Sequence, residues 1–77
     1  NDLKLNIYPN PVSNQLFVEL KEKGKVAIFN QMGQQISTTQ ADIGTNRLPL
    51  DNISPGFYFI QFQNSTNQRV SKPFVVK

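Results

Sequence analysis

The sequence predicts an all-β fold, namely an immunoglobulin-like β-sandwich of about seven short antiparallel strands. Two observations carry this prediction. Apolar and polar residues alternate with a period of two along nearly the whole chain, and proline, glycine and asparagine interrupt the alternation at regular spacing. No segment has an apolar stripe with helical period. With 77 residues, the chain is long enough for one small domain.

The first two strands are predicted on either side of the stretch YPNP. Pro9 and Pro11 end the first strand, because proline cannot donate a backbone hydrogen bond and fixes φ. The apolar positions of the first strand are Leu3, Leu5 and Ile7, and those of the second are Leu16, Val18 and Leu20. The third strand is KVAIFN, with Val26 and Ile28 on one face.

The segment KEKGK, residues 21–25, lies between the second and third predicted strands. We interpret it as a solvated hairpin turn in which Gly24 supplies a positive φ. The alternative is a contact for phosphate or anionic lipid, since this is the one cluster of basic residues. Two glutamates, Glu19 and Glu22, lie close by and favour the turn.

The middle of the chain predicts a hairpin followed by an edge strand. In NQMGQQI, Gly33 is placed for the left-handed conformation that follows a type I turn. QQISTT is the paired fourth strand and NRLPL is a short fifth strand, in which Pro49 indicates an edge position.

The segment ISPGFYFIQF contains the clearest local signal. Pro55 and Gly56 fit the two central positions of a type II turn. Six residues of high β-propensity follow, from Phe57 to Phe62, and they form the sixth strand. NSTNQ is the last loop and RVSKPFVVK is the final strand.

The alternation also assigns the two faces of the strands. We expect Tyr58, Ile60 and Phe62 to point into the core, which leaves Phe57 and Phe59 facing out, together with Phe17 and Phe29. A register slip of one residue would exchange the two sets. Outward phenylalanines indicate a contact surface. The alternative is that loops, the termini or a parent protein cover these rings.

Several function classes are excluded by composition. The chain has no cysteine and no histidine, which removes disulfides, thiolate zinc sites and the commonest catalytic base. The carboxylates are scattered, and no stretch supplies the closely spaced oxygen ligands of a calcium site; they are Asp2, Glu19, Glu22, Asp42 and Asp51. We therefore expect a protein that is not an enzyme, without cofactor or metal. With a net charge of +3 and no long apolar run, we expect neither a nucleic-acid partner nor a membrane span.

In order along the chain, YPNPVSNQLFVEL, VAIFNQMGQQI, ISPGFYFIQF and the tail KPFVVK carry a family resemblance. The chain resembles the C-terminal sorting domain, type A, of the Por or type IX secretion system of Gram-negative bacteria. The resemblance covers residues 5–77. The positions that match the motifs of the family are Pro9, Asn10, Pro11, Gly33, Gly56 and Tyr58, and in the closing motif Lys72, Phe74, Val75, Val76 and Lys77. Pro73 departs from the family pattern and indicates an edge strand or a bulge.

The resemblance implies a non-catalytic signal domain at the end of a larger secreted precursor. Residues 1–77 would then form one domain behind an N-terminal passenger. The implied partners are the outer-membrane translocon, its shuttle proteins and a sortase-like surface protease, and the implied route passes through the periplasm to the cell surface or the medium. The closing strand would be recognised by strand addition at its backbone edge or by docking on its side chains.

Two other function classes stay open at this point. Phe57 and Phe59 would suit a carbohydrate-binding or spacer module attached to an enzyme, by stacking on sugar rings. An exposed edge strand would suit an adhesive dimerisation unit.

Overall fold

The computed structural model describes residues 5–8, 14–50 and 53–77, and within these residues it contains strands and no helix. No segment of this part of the chain therefore forms a helix able to cross a membrane. The seven strands are β1 (Asn6–Tyr8), β2 (Gln15–Leu20), β3 (Gly24–Asn30), β4 (Gln35–Ala41), β5 (Gly44–Pro49), β6 (Gly56–Asn64) and β7 (Arg69–Val76).

The strands form two antiparallel sheets, which confirms the predicted sandwich. One sheet has three strands in the order β1-β2-β5, and the other has four in the order β4-β3-β6-β7. The architecture is consistent with an immunoglobulin-like domain. β3 and β6 are the central strands of the larger sheet, whereas β4 and β7 are its two edges.

The core lies between the sheets and consists of the inward side chains that the alternation predicts. Tyr58, Ile60 and Phe62 all point inward, so the register is the expected one. Burial of this apolar surface is the main favourable term in folding. The remaining buried apolar residues are Leu5, Leu16, Val18, Leu20, Val26, Ile28, Ala41, Leu48, Leu50, Phe74 and Val76.

The ends of several strands differ from the predicted ones. β4 continues to Ala41 and β5 begins at Gly44, so both strands are longer than the patterns QQISTT and NRLPL suggested. Pro49 does lie in an edge strand, since β5 pairs only with β2 among the described residues. Leu3 and the opening motif Pro9, Asn10 and Pro11 lie outside the described residues.

The predicted hairpin turn at residues 21–25 is wrong. β2 and β3 belong to different sheets, so this segment crosses from one sheet to the other. Gly24 is not among the residues with positive φ. It is the first residue of β3, and a Cβ atom there would lie 2.2 Å from the carbonyl oxygen of Gln63 and 2.7 Å from the ring of Phe62. Close approach of β6 therefore explains this glycine, because a side chain would collide with the neighbouring strand.

The two true hairpins of the larger sheet have the same loop structure. In the β3–β4 loop, the backbone N–H of Asn30 donates to Gln34 O at 2.9 Å and that of Gly33 donates to Asn30 O at 3.0 Å. In the β6–β7 loop, the N–H of Asn64 donates to Gln68 O at 3.0 Å and that of Asn67 to Asn64 O at 3.1 Å. The third residue between the strands has positive φ in both loops, with values of 84° for Gly33 and 65° for Asn67. The left-handed prediction for Gly33 is thus confirmed.

The turn before β6 differs from the predicted type. Gly56 has a φ of 152°, which is positive but far from the value of about 80° that a type II turn requires. The residue already pairs with Val76 as the first position of β6. The hydroxyl group of Tyr58 donates to the carbonyl oxygen of Ser54 at 2.5 Å, which ties this turn to a buried ring, as expected for a core tyrosine of a sandwich.

Candidate recognition surface

The closing motif forms the edge strand β7, which pairs along its whole length with β6. Its register runs without interruption from Gly56 opposite Val76 to Gln63 opposite Arg69. Pro73 lies opposite Phe59 in this register and is exposed. The departure at Pro73 therefore marks an edge strand, and no bulge accompanies it.

Two of the five residues predicted for recognition are core residues. Phe74 is 1% exposed and Val76 is 3% exposed. The ring of Phe74 stacks on Tyr58 with a centroid separation of 5.8 Å, and Val76 lies opposite Gly56. A partner of the folded domain cannot contact these two side chains directly, so they act by holding β7 against the sheet.

The other three predicted residues are accessible to different degrees. Lys72 lies opposite Ile60, which is fully buried, and cross-strand neighbours project from the same face. Lys72 is nevertheless exposed, because a long side chain on an edge strand can extend past the core into water. Lys77 is exposed at the end of the strand, and Val75 is half-buried on the outer face. Neither lysine forms an ion pair with a described residue.

The outer face of the larger sheet carries the phenylalanines that the sequence places outside. Phe57 is 63% exposed and Phe59 is 43% exposed, so the described residues leave a large part of each side chain accessible to solvent. Phe29, Phe59 and Pro73 lie side by side across three strands. Phe57 lies opposite Val75 in the next outward row. Together these residues form one apolar patch beside the closing strand.

Charge is divided unequally between the two sheets. The four strands of the larger sheet contain no aspartate or glutamate. They contain three cations, Lys25, Arg69 and Lys72, and Lys77 follows directly after β7. Among the described residues, no group of three or more potential metal ligands lies together. The chemistry of this sheet therefore favours contact with apolar or anionic surfaces.

A comparison with protein families identifies the family of this chain. The model of a family described as "Secretion system C-terminal sorting domain" matches residues 6–77. The chain belongs to this family. Such sorting domains are the C-terminal signals of the type IX secretion system, and they direct export across the outer membrane to the cell surface or the extracellular space. The match does not favour a carbohydrate-binding or spacer module. The type A subtype stays a prediction.

A solved structure supports the fold. PorZ, described as an essential bacterial surface component of the type-IX secretion system of Porphyromonas gingivalis, matches with a TM-score of 0.81 and 15% identity. The match covers 95% of this chain and 11% of PorZ, so the chain spans only a small part of that protein. At this identity the likeness shows a shared fold. No curated protein matches the sequence.

Sequence reasoning missed Asn64, whose side chain forms more hydrogen bonds than that of any other described residue. Asn64 is 5% exposed, and it is the one buried polar residue among those described. Its Oδ1 accepts hydrogen bonds from the N–H groups of Thr66 at 3.1 Å and Gln68 at 2.9 Å, and its Nδ2 donates to Glu22 at 3.1 Å. The signal was present, because Asn-x-x-x-Gln occurs in both hairpin loops, and asparagine often bonds its own backbone in turns.

Proposed function

We propose that the folded domain is recognised by the outer-membrane translocon and its shuttle proteins, and that an N-terminal passenger crosses the membrane with it. The passenger would reach the translocon through the periplasm, and a sortase-like protease would then remove the domain at the surface. The family match over residues 6–77 carries this proposal. The domain itself would act without catalysis, as a signal.

Within this function, the residues of the closing motif would have two roles. Lys72, Val75 and Lys77 are reachable and would contact the machinery, while Phe74 and Val76 would position the strand from inside the core. Gly33, Pro55, Gly56 and Tyr58 would serve the fold. We propose that Pro9 and Pro11 stiffen the connection between β1 and β2, because proline restricts the unfolded chain.

Side-chain docking explains recognition at β7 better than strand addition does. Pro73 has no N–H group to offer an added strand, and Lys72 is a charged side chain on the inner face of an edge strand. Both features are known to prevent pairing at sheet edges. The apolar patch around Phe57 and Phe59 adjoins β7 and would enlarge the docking surface.

A reporter fused ahead of Asn1, in a host with a type IX system, tests the proposal. We expect the fusion to reach the medium or the cell surface, whereas the reporter alone stays inside the cell envelope. Deletion of KPFVVK should abolish export. Because that deletion also removes two core side chains, circular dichroism of the purified variant must accompany it. Normal export of the truncated fusion would show that the tail is not part of the signal.

A further inference from the structure

We propose that the outer edge of β4 binds an extended segment of another polypeptide, which adds a fifth strand to the larger sheet. This goes beyond the export signal, since it concerns the edge opposite β7. Its test needs no secretion machinery, so its failure would leave the proposed function standing.

The described part of the chain has four edge strands, and three of them carry protection against pairing. β1 is only three residues long. β5 contains Arg47 and Pro49, and β7 contains Lys72 and Pro73. Short strands, charged side chains and prolines are the usual means of keeping a sheet edge unpaired.

β4 has almost none of this protection. Its sequence, QISTTQA, contains no charge, no proline and no glycine, and three of its residues are β-branched. The pairing shifts between Ile28 and Phe29, which leaves Ile36 as the extra residue of a bulge. Beyond this bulge, Ser37–Ala41 pairs regularly with β3 and with no other described strand. Its outward backbone N–H and C=O groups can therefore accept a new strand.

A cavity beside this edge supplies a site for side chains. It lies between β4 and β5, has a volume of about 240 Å³, and is lined by Val26, Ile28, Ser37, Thr38, Thr39, Arg47, Leu48 and Pro49. The apolar floor belongs to the core, since Val26 is 1% and Ile28 is 3% exposed. An apolar cavity of about 150 Å³ can hold a benzene molecule. One aliphatic or aromatic side chain of an added strand therefore fits here.

The side chains around the cavity decide between possible occupants. In a two-fold pairing of β4 with a second copy of this chain, the inward residues of the added strand would be Ser37, Thr39 and Ala41. Their side chains are short and would leave the apolar floor uncovered. Lys25 lies opposite Gln40 on the neighbouring strand, and the chain has a net charge of +3, so a cationic segment is disfavoured. The occupant that fits is an uncharged or acidic extended segment with aliphatic side chains at alternate positions.

The test titrates the isotope-labelled 77-residue chain with a capped peptide of alternating threonine and valine, flanked by glutamates. We expect NMR shift changes at Ser37–Ala41, Val26 and Leu48, and at least tenfold slower amide exchange along β4. A matched peptide with threonine at every valine position should bind at least tenfold more weakly.

Two variants test whether the peptide binds at the outer edge of β4. Thr39→Lys places a charge on the inner face beside the cavity and should weaken binding at least tenfold. Gln40→Lys adds the same charge on the outer face and serves as the control. The proposal is overturned if millimolar valine peptide shifts no β4 signal, if it binds at β7 instead, or if the chain pairs with itself through β4 without peptide.

Discussion

β7 and β4 are the two edges of one sheet, yet they differ in what they expose. β7 places Phe74 and Val76 in the core and carries Lys72 and Pro73, which oppose the addition of another strand. In β4 only the side chain of Ala41 is buried. The strand has no charged side chain, and one of its backbone edges pairs with no described strand. The comparison separates our two proposals for recognition at an edge strand. In the first, the exposed side chains of β7 contact the partner, whereas in the second, the unpaired backbone of β4 does.

The largest expected effect concerns the part of β7 that lies in the core. Phe74→Ala should lower the free energy of unfolding by about 3–5 kcal/mol, because it removes a ring that is 1% exposed and stacks on Tyr58. A domain of this size has a free energy of unfolding of only about 4–12 kcal/mol, so this loss is a large fraction of its total stability. Urea denaturation measures the loss.

The matched change on β4 is Ser37→Ala, at an exposed inward position of that edge. Its effect should stay within about 0.5 kcal/mol. If both variants lost the same stability, the contrast between a structural edge and a peripheral one would be wrong.

The second largest loss of stability is expected in β3 and β6, the central strands that pair with the edge strands β4 and β7. Gly24 pairs with Ala41 of β4 and with Asn64 of β6. Gly24→Ala should destabilise the domain by about 2–3 kcal/mol, since the new Cβ atom would meet the backbone of Gln63. Thermal unfolding checks this. An unchanged melting temperature would mean that β3 and β6 separate easily and that the edges do not depend on their close packing.

A smaller effect distinguishes the two hairpin loops that lead to the edges. Gly33→Ala should destabilise by about 1–2 kcal/mol, because a φ of 84° is unfavourable for a residue with a Cβ atom although no neighbour obstructs it. Asn67→Gly removes the strain of a positive φ in the other loop, but it also removes the 2.7 Å hydrogen bond that Gln63 donates to Asn67. Its net effect should stay within about 1 kcal/mol. Chemical denaturation measures the free energy of unfolding of both variants. Equal losses of stability would contradict the conclusion that the two loops have the same structure.

The smallest expected change in stability comes from a double variant of β7 that should cause the chain to self-associate. The double variant Lys72→Thr, Pro73→Thr removes both protecting features of β7 and should leave folding within about 1 kcal/mol of the starting value. We expect it to self-associate, which sedimentation velocity at increasing concentration detects. The same pair of changes at the exposed Lys21 and Glu22 is the control. A monomeric double variant would show that Lys72 and Pro73 do not protect this edge.

The alternation of apolar residues, with turn residues at regular spacing, was enough to predict the fold class and the inward rings. The edge position of Pro49 was predicted by the chemistry of proline itself. Local composition could not predict which consecutive strands pair. KEKGK has the residues of a hairpin turn, but Gly24 is required by the approach of Gln63, which is distant in sequence. The recognition residues were predicted by family resemblance, and only the register showed that Phe74 and Lys72 share the inner face while differing in exposure.

The central claim is that two exposed cations, Lys72 in β7 and Lys77 directly after it, form part of the export signal. The most direct measurement is the fraction of a fused reporter that reaches the medium with Lys72→Glu and Lys77→Glu combined. Lys21→Glu with Lys23→Glu, also at exposed positions, makes the same change in net charge elsewhere and serves as the control. We predict that the β7 variant folds normally but loses export, while the control is exported like the original fusion. Normal export of the folded β7 variant would contradict the claim.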